Sequence, residues 1–266
     1  MERLYTVIIT NGLVVDHKSI AKNIFQLILH IPSSGIDISP GHFVQLSCPG
    51  KNTTLLKRPF SIFEASADSI TILYKVVGRG TENLLETQVG ESLDMILPCG
   101  NSFSPPVKNG WNVLIGGGLG MAPLHFLTNN YPESSFDFWV GTSYQEECIP
   151  LSLLSGHHID LHHHADFVLS ENNSLCFTEN LLQKYQKESS KKPSKMYCCG
   201  PTKLMESVAN YCQENHIPLE VSLESRMACG FGVCLGCSFL TTEGMKTVCK
   251  DGPVFDSSIV KWESLQ

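Results

Sequence analysis

Four cysteines near the C-terminal end constrain this chain more than anything else in it. They stand in the run Cys229-Gly230-Phe231-Gly232-Val233-Cys234-Leu235-Gly236-Cys237, and Cys249 follows after eleven intervening residues. The spacing is C-x4-C-x2-C with a distant fourth cysteine, the plant-type pattern for a [2Fe–2S] cluster. Thiolates are soft ligands that suit iron, and a tight loop can bring three of them to one side of a cluster. Gly230, Gly232 and Gly236 fit such a loop, which must turn sharply and aim backbone N–H groups at sulfur. A structural zinc site usually pairs C-x2-C with a second C-x2-C or with histidines. The four-residue gap and the lone fourth cysteine disfavour that alternative.

The rest of the composition narrows the setting. The chain has 266 residues, 42% hydrophobic and 17% charged, enough for two globular domains and a small lobe. A net charge of −7 gives no electrostatic case for nucleic acid. No apolar run approaches the ~18 residues of a membrane-spanning helix. Asn11 and Asp16 interrupt the first apolar stretch, so the N-terminus does not read as a signal peptide. Eleven cysteines without such a signal point to a reducing, cytoplasmic compartment. There thiols serve metals or catalysis. The scattered Cys48, Cys99, Cys148, Cys176, Cys198 and Cys212 read mostly as small buried hydrophobes.

The chain divides into three parts. Residues 1–103 read as short strands (Tyr5–Val15, Ile24–Ile31, Phe43–Cys48, Phe60–Glu64, Ile70–Val77 and Ser92–Leu97) punctuated by turn residues, hence a barrel or sandwich. One helix is expected over Gly80–Gln88, with Leu84 and Leu85 inward. Asn101–Gly110, rich in Pro, Ser, Asn and Gly, reads as a linker. Over 110–218 strands (Val113–Ile115, Phe136–Val140, Asp160–Leu169, Lys195–Cys198) alternate with helices (Ala122–Asn129, Thr178–Lys187 and one from Pro201 to Asn215). Alternation of this kind means a parallel sheet with helices on its faces. Leu204, Val208 and Cys212 recur on one face of the last helix. Residues 219–266 form the cysteine lobe. His157, His158, His162, His163 and His164 crowd one region. No carboxylate–histidine spacing there fixes a metal geometry, and they read as a polar loop and strand entry.

Two junctions in the α/β part suit a dinucleotide. Ile115-Gly116-Gly117-Gly118-Leu119-Gly120-Met121 leaves a strand and opens a helix, where backbone can approach a pyrophosphate and N–H groups face it. Cys199-Gly200-Pro201 lies at the end of a later strand, again at a helix start, and ligands of open parallel sheets bind at strand C-termini. Gly141 is followed by Thr142-Ser143-Tyr144-Gln145-Glu146-Glu147 with no positive charge, which favours NAD over NADP.

Arg58-Pro59-Phe60-Ser61 in the β part can offer a guanidinium fork and a hydroxyl to a phosphate. The order Arg-Pro-x-Ser, Leu73-Tyr74-Lys75, Gly80-Thr81, a Gly-rich strand–helix turn and Cys-Gly-Pro resembles the ferredoxin–NADP reductase superfamily. The run from Arg226 through Cys237, with Val248-Cys249-Lys250-Asp251-Gly252-Pro253-Val254-Phe255, is similar to the electron-transfer subunits of the NAD-dependent, heteromeric type B dihydroorotate dehydrogenases. The resemblance implies a multidomain β plus α/β fold: an antiparallel flavin-binding β-barrel, a Rossmann-like nucleotide domain and a small [2Fe–2S] lobe. It implies that Arg58, Pro59, Phe60 and Ser61 hold FAD and its phosphates. Leu73, Tyr74 and Lys75 would lie along the isoalloxazine and ribityl, and Gly80 and Thr81 would cap the pyrophosphate. Gly116, Gly117, Gly118, Gly120, Cys199, Gly200 and Pro201 would meet NAD, and Cys229, Cys234, Cys237 and Cys249 would ligate the cluster.

The implied activity is an NADH-linked oxidoreductase. NADH gives electrons in pairs and a [2Fe–2S] cluster takes them singly, so a flavin must stand between them. The implied partner is a flavin-containing dihydroorotate dehydrogenase catalytic subunit of pyrimidine biosynthesis, in a heterotetramer. No side chain here is a convincing acid or base for oxidising dihydroorotate, so that carbon chemistry belongs to the other chain. Two alternatives stay open. One is a reductase subunit for another redox partner, such as a ferredoxin or a sulfur-reducing enzyme. The other is a non-catalytic iron–sulfur redox sensor.

Overall fold

The structure, a computed structural model, describes residues 7–32, 35–50, 54–154, 159–165, 176–189 and 191–265. Six strands come first: β1 (Ile8–Ala21), β2 (Ile24–His30), β3 (Phe43–Leu46), β4 (Arg58–Ala65), β5 (Ser69–Lys75) and β6 (Ser92–Cys99). Inward positions alternate with outward ones: Leu27 and Leu29, Val44 and Leu46, Phe60 and Ile62, Ile70 and Ile72, Met95 and Leu97 share one core. That period of two lets the antiparallel sheet curl around its apolar face until no edge remains. The result is a closed barrel in the order β1-β2-β5-β4-β3-β6.

The expected helix appears as α1 (Arg79–Leu85). Leu84 is buried in the barrel core, but Leu85 is 41% exposed. Neighbours on a helix point about 100° apart, so one short turn of helix cannot send both inward.

The second unit contains β7 (Asn112–Gly117), α2 (Met121–Asn130), β8 (Phe136–Thr142), β9 (Ile159–Ala165), α3 (Cys176–Glu188), β10 (Lys195–Cys199), α4 (Thr202–Glu214) and β11 (Leu219–Ser222). Strands β11, β10, β7, β8 and β9 lie parallel in that order. Leu204, Val208 and Cys212 of α4 are all buried. Helix α2 is buried almost all round, from Met121 to Thr128. A helix apolar on every side needs cover on every side. It lies between barrel and sheet: His125 stacks on Phe63 of β4, with ring centroids 4.3 Å apart, and Phe126 joins the barrel core.

The last part comprises β12 (Ser238–Thr241), β13 (Gly244–Thr247) and β14 (Val254–Asp256). The lobe expected from residue 219 is stitched into the sheet: β11 belongs to it, and β14 adds to β11 as an antiparallel edge strand. The cysteine loop and the β12–β13 hairpin are thus an insertion between two strands of one sheet. The linker expected over Asn101–Gly110 is also firmly tied. Asn101 Nδ2 donates to the carbonyls of Asp251 (3.1 Å) and Val254 (2.9 Å), and its Oδ1 accepts from Val254 N–H. Phe103 is buried edge-on to Tyr197. Its polar composition serves side-chain-to-backbone bonds and not slack. His157, His158 and residues 166–175 lie outside the described residues, and His162–His164 occupy consecutive positions of β9, the sheet edge.

The barrel–lobe seam leaves no room for a methyl group. At Gly100, with φ +80°, a Cβ would stand 2.3 Å from Pro253 Cδ and 2.8 Å from the Gly252 carbonyl. Gly90 has φ +93° but faces open space. Gly90→Ala should therefore cost only the backbone strain, about 1–2 kcal/mol. Gly100→Ala adds overpacking and should cost about 3 kcal/mol or more. Thermal melting of the two variants side by side checks the difference.

Candidate functional site: a cofactor cleft beside a four-cysteine loop

A cleft of about 650 Å³ opens between the barrel, the glycine turn and the segment entering the cysteine loop. The first residues of β4 and the last of β5, with the turn before α1, build its barrel wall. Every flavin residue expected from sequence lines it: Arg58, Pro59, Phe60, Ser61, Leu73, Tyr74, Lys75, Gly80 and Thr81. Arg58 is placed by its own chain, with Nη1 donating to the Leu56 carbonyl at 2.8 Å. Gly80 lets α1 settle on it: a Cβ there would lie 3.1 Å from Arg58 Nε. The Thr81 hydroxyl is engaged locally, accepting from the N–H groups of Val77 (2.9 Å) and Gly78 (3.2 Å) and donating to the Gly78 carbonyl. It shapes the turn.

Tyr74 has a partner that the sequence did not reveal. His17 Nδ1 lies 2.9 Å from the Thr87 carbonyl, which can only accept. The proton is therefore on Nδ1, and Nε2 accepts from the Tyr74 hydroxyl at 2.8 Å. Burial holds the Tyr74 phenol well above its ordinary value, so it stays protonated and can keep donating.

The opposite wall was not foreseen either. It includes Leu119 from the glycine turn, and Ser222, Leu223, Glu224, Ser225, Met227 and Pro253 from around the lobe. Glu224 lines the cleft as an exposed side chain, and partial desolvation by the protein packed beside it raises its pKa.

A smaller pocket of about 130 Å³ adjoins at the strand ends. Gly117, Gly118 and Pro201, expected to meet a dinucleotide, line it; Gly116, Gly120, Cys199 and Gly200 do not. These last serve packing. A Cβ on Gly120 would come 2.4 Å from the Cys199 carbonyl, and one on Gly200 would come 2.8 Å from Gly117 Cα. The two turns touch backbone to backbone, which single-sequence reading could not distinguish from ligand binding. Lys75 reaches both cavities. Its Nζ pairs at 2.6 Å with Glu147 Oε1, in the turn after β8, and Lys22 pairs with Glu146 next to it. The acidic turn that sequence marked as unsuited to a 2′-phosphate is thus tied to the barrel.

The cysteine loop bends through left-handed conformations at Gly230 (φ +81°), Gly232 (φ +86°) and Leu235 (φ +58°). The last is costly for a side chain branched like leucine. Gly236 needs no such freedom. Each of the four sulfurs accepts a backbone N–H: Cys229 from Cys234, Cys234 from Gly236, Cys237 from Cys249 and Cys249 from Gly232, at 3.1–3.4 Å. The hairpin brings the fourth cysteine home. Register pairs Ser238 with Thr247, so Cys237 and Cys249 flank its open end. Cys237 and Cys249 are buried, Cys234 is exposed and Cys229 is intermediate.

Burial pushes the Cys229 thiol up. The N–H groups of Cys234, Phe231 and Val233 and the Cys234 side chain more than offset this, leaving it at about 6. Among the described residues no three His, Cys, Asp or Glu converge on a single ion. The contacts instead make two pairs, Cys229 with Cys234 and Cys237 with Cys249. Two thiols for each of two irons is what a binuclear cluster needs, so the residues fit it.

Barrel, parallel sheet and clefts define a flavin-dependent reductase of the ferredoxin–NADP reductase type with an iron–sulfur lobe. A chain of the NADH-dependent reduced ferredoxin–NADP oxidoreductase superposes with a TM-score of 0.80 at 25% identity, covering 96% of this chain and 91% of that one. The ferredoxin reductase of carbazole 1,9a-dioxygenase shares the fold, with a TM-score of 0.67 at 15% identity over 82% and 70% of the two chains. Residues 224–261 match the iron–sulfur cluster binding domain of dihydroorotate dehydrogenase B. The dihydroorotate dehydrogenase B (NAD(+)) electron transfer subunit of Desulforamulus reducens is 31% identical over 252 residues, 92% of this chain and 95% of that one. That of Clostridium acetobutylicum is 30% identical over 219 residues, 82% and 85% of the two chains. The chain belongs to the family of dihydroorotate dehydrogenase B electron transfer subunits. No helix among the described residues is long and apolar enough to cross a membrane.

Glu224 supplies a pH test. Its folded pKa lies above the ordinary 4.5. Between those two values the folded state binds more protons than the unfolded one, so stability falls as pH rises through the window. Glu224→Gln removes the effect. The flavin-free variant should melt slightly higher than the parent at neutral pH, by a margin that solvent screening of this exposed side chain keeps small, and the gap should close below about pH 4.5, by thermal melts across a pH series.

Proposed function

We propose that this chain carries electrons from NADH, by way of FAD and a [2Fe–2S] cluster, to or from the catalytic subunit of a dihydroorotate dehydrogenase. The observation that carries this is the shared wall: Ser225 and Met227 line the large cleft, and the same strand of chain continues directly into Cys229. FAD, when bound, supplies the exchange between hydride pairs and single electrons, and the cluster carries the single ones.

The chain's own residues bind, orient and exclude water. Arg58 and Ser61 stand where a flavin phosphate would be held, and Tyr74, fixed by His17, lines the cleft from the barrel side. Gly117, Gly118 and Pro201 with the Thr142–Ser143 turn would receive the dinucleotide, next to Lys75 where the two cavities meet. Glu146 and Glu147 leave a 2′-phosphate no cation in that turn, which supports NADH over NADPH. Cys229, Cys234, Cys237 and Cys249 would hold the cluster, with Cys234 and its exposed neighbours Val233 and Leu235 at the molecular surface. An apolar, sulfur-bearing edge of this kind suits docking of a catalytic subunit, and a heterotetramer of two such pairs in the cytoplasm is the assembly we favour. The close superposition on the NADH-dependent ferredoxin–NADP oxidoreductase chain supports a second reading, a reductase subunit with a different redox partner.

Purified without oxygen, the chain should be coloured, and rapid mixing with NADH should bleach its flavin band; no bleaching would leave a sensor as the better reading. Co-purification with a dihydroorotate dehydrogenase catalytic subunit separates the two partner assignments. Cys234→Ser should lose cluster iron and interrupt transfer to the partner, while NADH-to-dye activity partly survives. Unchanged iron content would refute the ligand assignment. Arg58→Ala should weaken FAD retention about 10–100-fold, as loss of a charge-assisted contact worth about 1.5–3 kcal/mol implies, measured by flavin release on dilution.

A further inference from the structure

The smaller pocket holds about 130 Å³, against the roughly 300–1,000 Å³ of a ligand site. A dinucleotide enters it only if part of the wall moves. Most of the wall is fixed. Gly117 and Pro201 belong to turns that press on each other, and a Cβ on Gly117 would stand 2.6 Å from Pro201 Cδ. Val140, Ile149 and Leu154 are buried in one apolar core.

The charged part of the wall is different. Lys75 and Glu147 are the charged side chains that line the pocket, they pair at 2.6 Å, and both keep some contact with solvent. Their backbones are held in place. Lys75 ends β5. The N–H groups of Glu147 and Cys148 donate to the carbonyls of Tyr144 and Gln145, each at 3.0 Å, and Lys22 N–H donates to the Glu146 carbonyl at 2.8 Å. The turn therefore stays where it is while the two side chains are free to part. Rotamer changes of this kind are fast for side chains in reach of water.

Charge points to the same pair. A dinucleotide brings a negatively charged pyrophosphate. Among the described residues lining the pocket, Lys75 is the one cation, and a carboxylate already occupies it. A phosphate gains the charge-assisted bond to Lys75 by displacing that carboxylate. We propose that Glu147 is a built-in competitor: it closes the nucleotide pocket by holding Lys75 until the pyrophosphate of NADH takes its place. This inference rests on the NADH assignment above and adds to it the residue that sets the affinity. NAD+ carries the same pyrophosphate, so Glu147 also favours its release.

The test is Glu147→Gln, with Glu147→Ala as a second variant, each prepared as the FAD-loaded full chain. Both should bind NAD+ about three- to fivefold more tightly than the parent, by titration calorimetry at low ionic strength, as removal of a partly exposed ion pair implies. The gain should shrink at high salt, and KM for NADH should fall in step. Glu146→Gln removes the same charge from a residue that does not line the pocket and should give a smaller gain. Reduced nicotinamide riboside, which has no phosphate, should show no gain in KM. Unchanged affinity in the Glu147 variants would overturn the inference, and weaker binding would make Glu147 a ribose ligand and overturn it as well. So would an equal gain from Glu146→Gln or with the riboside, since neither involves a phosphate displacing Glu147. Loss of FAD or of cooperative melting in both variants would make the pair a tie between barrel and sheet, and that too would overturn it. A parent chain that neither binds NAD+ nor is reduced by NADH would instead overturn the NADH assignment, and this inference with it.

Discussion

The contact on which the rest depends is the seam between barrel and cysteine lobe, where backbone meets its neighbours without space for a methyl group. Gly41, Gly100 and Gly230 all take left-handed φ there, and a Cβ on them would meet Val254, Pro253 and Gln45 at 2.9, 2.3 and 2.3 Å. Side chains at such a seam would hold the two parts a bond length or more apart. Without them, Phe43 of the barrel joins the same buried cluster as Phe255, Cys237 and Cys249. Close-packed interiors shift between discrete arrangements and do not stretch. The cleft and the cysteine loop therefore keep one fixed relation, which a relay of electrons between bound cofactors requires.

The same economy of volume governs the nucleotide side. The glycine turn after β7 and the Cys-Gly-Pro turn after β10 press on each other, and most of their glycines are occupied by that contact. Of those glycines Gly117 and Gly118 reach the smaller pocket, beside Leu119 and Pro201. The packing makes the pocket: by drawing two strand ends together it leaves a groove at the carboxyl edge of the sheet, where backbone is bare. Function there follows from a structural constraint satisfied first.

Legibility in the sequence followed the range of the forces involved. Cysteine spacing could be read directly, because sulfur ligands are few and their separations are set by one loop. The barrel wall could be read because Arg58–Ser61 and Leu73–Lys75 are short continuous runs on adjacent strands. The β12–β13 hairpin was missed. Its alternation of Phe239 and Thr241 is short, and it is this pairing that delivers Cys249. The antiparallel return of β14 was missed too, since Val254–Asp256 is three residues long and gains its place only from β11. His17, Glu224 and the Lys75–Glu147 pair are long-range contacts between segments that carry no mutual signal. Leu235 hid its left-handed turn because nothing in a leucine announces one.

Cysteine chemistry shows how one fold sorts chemically identical side chains. A thiolate binds metal and a thiol does not. Burial pushes the Cys48 thiol up to about 11, those of Cys99 and Cys212 to about 12, and that of Cys198 well above its ordinary value. These sulfurs stay neutral and serve as small apolar packing. Cys229 is drawn down to about 6 by the N–H groups that its loop points at it. Cys249 is raised by burial and by Cys237 beside it, so it yields its proton only to a metal. The loop thus offers a ready thiolate at its outer edge and a protected pair within. The glycines that bend it are what separate four ligands from the remaining sulfur of the chain.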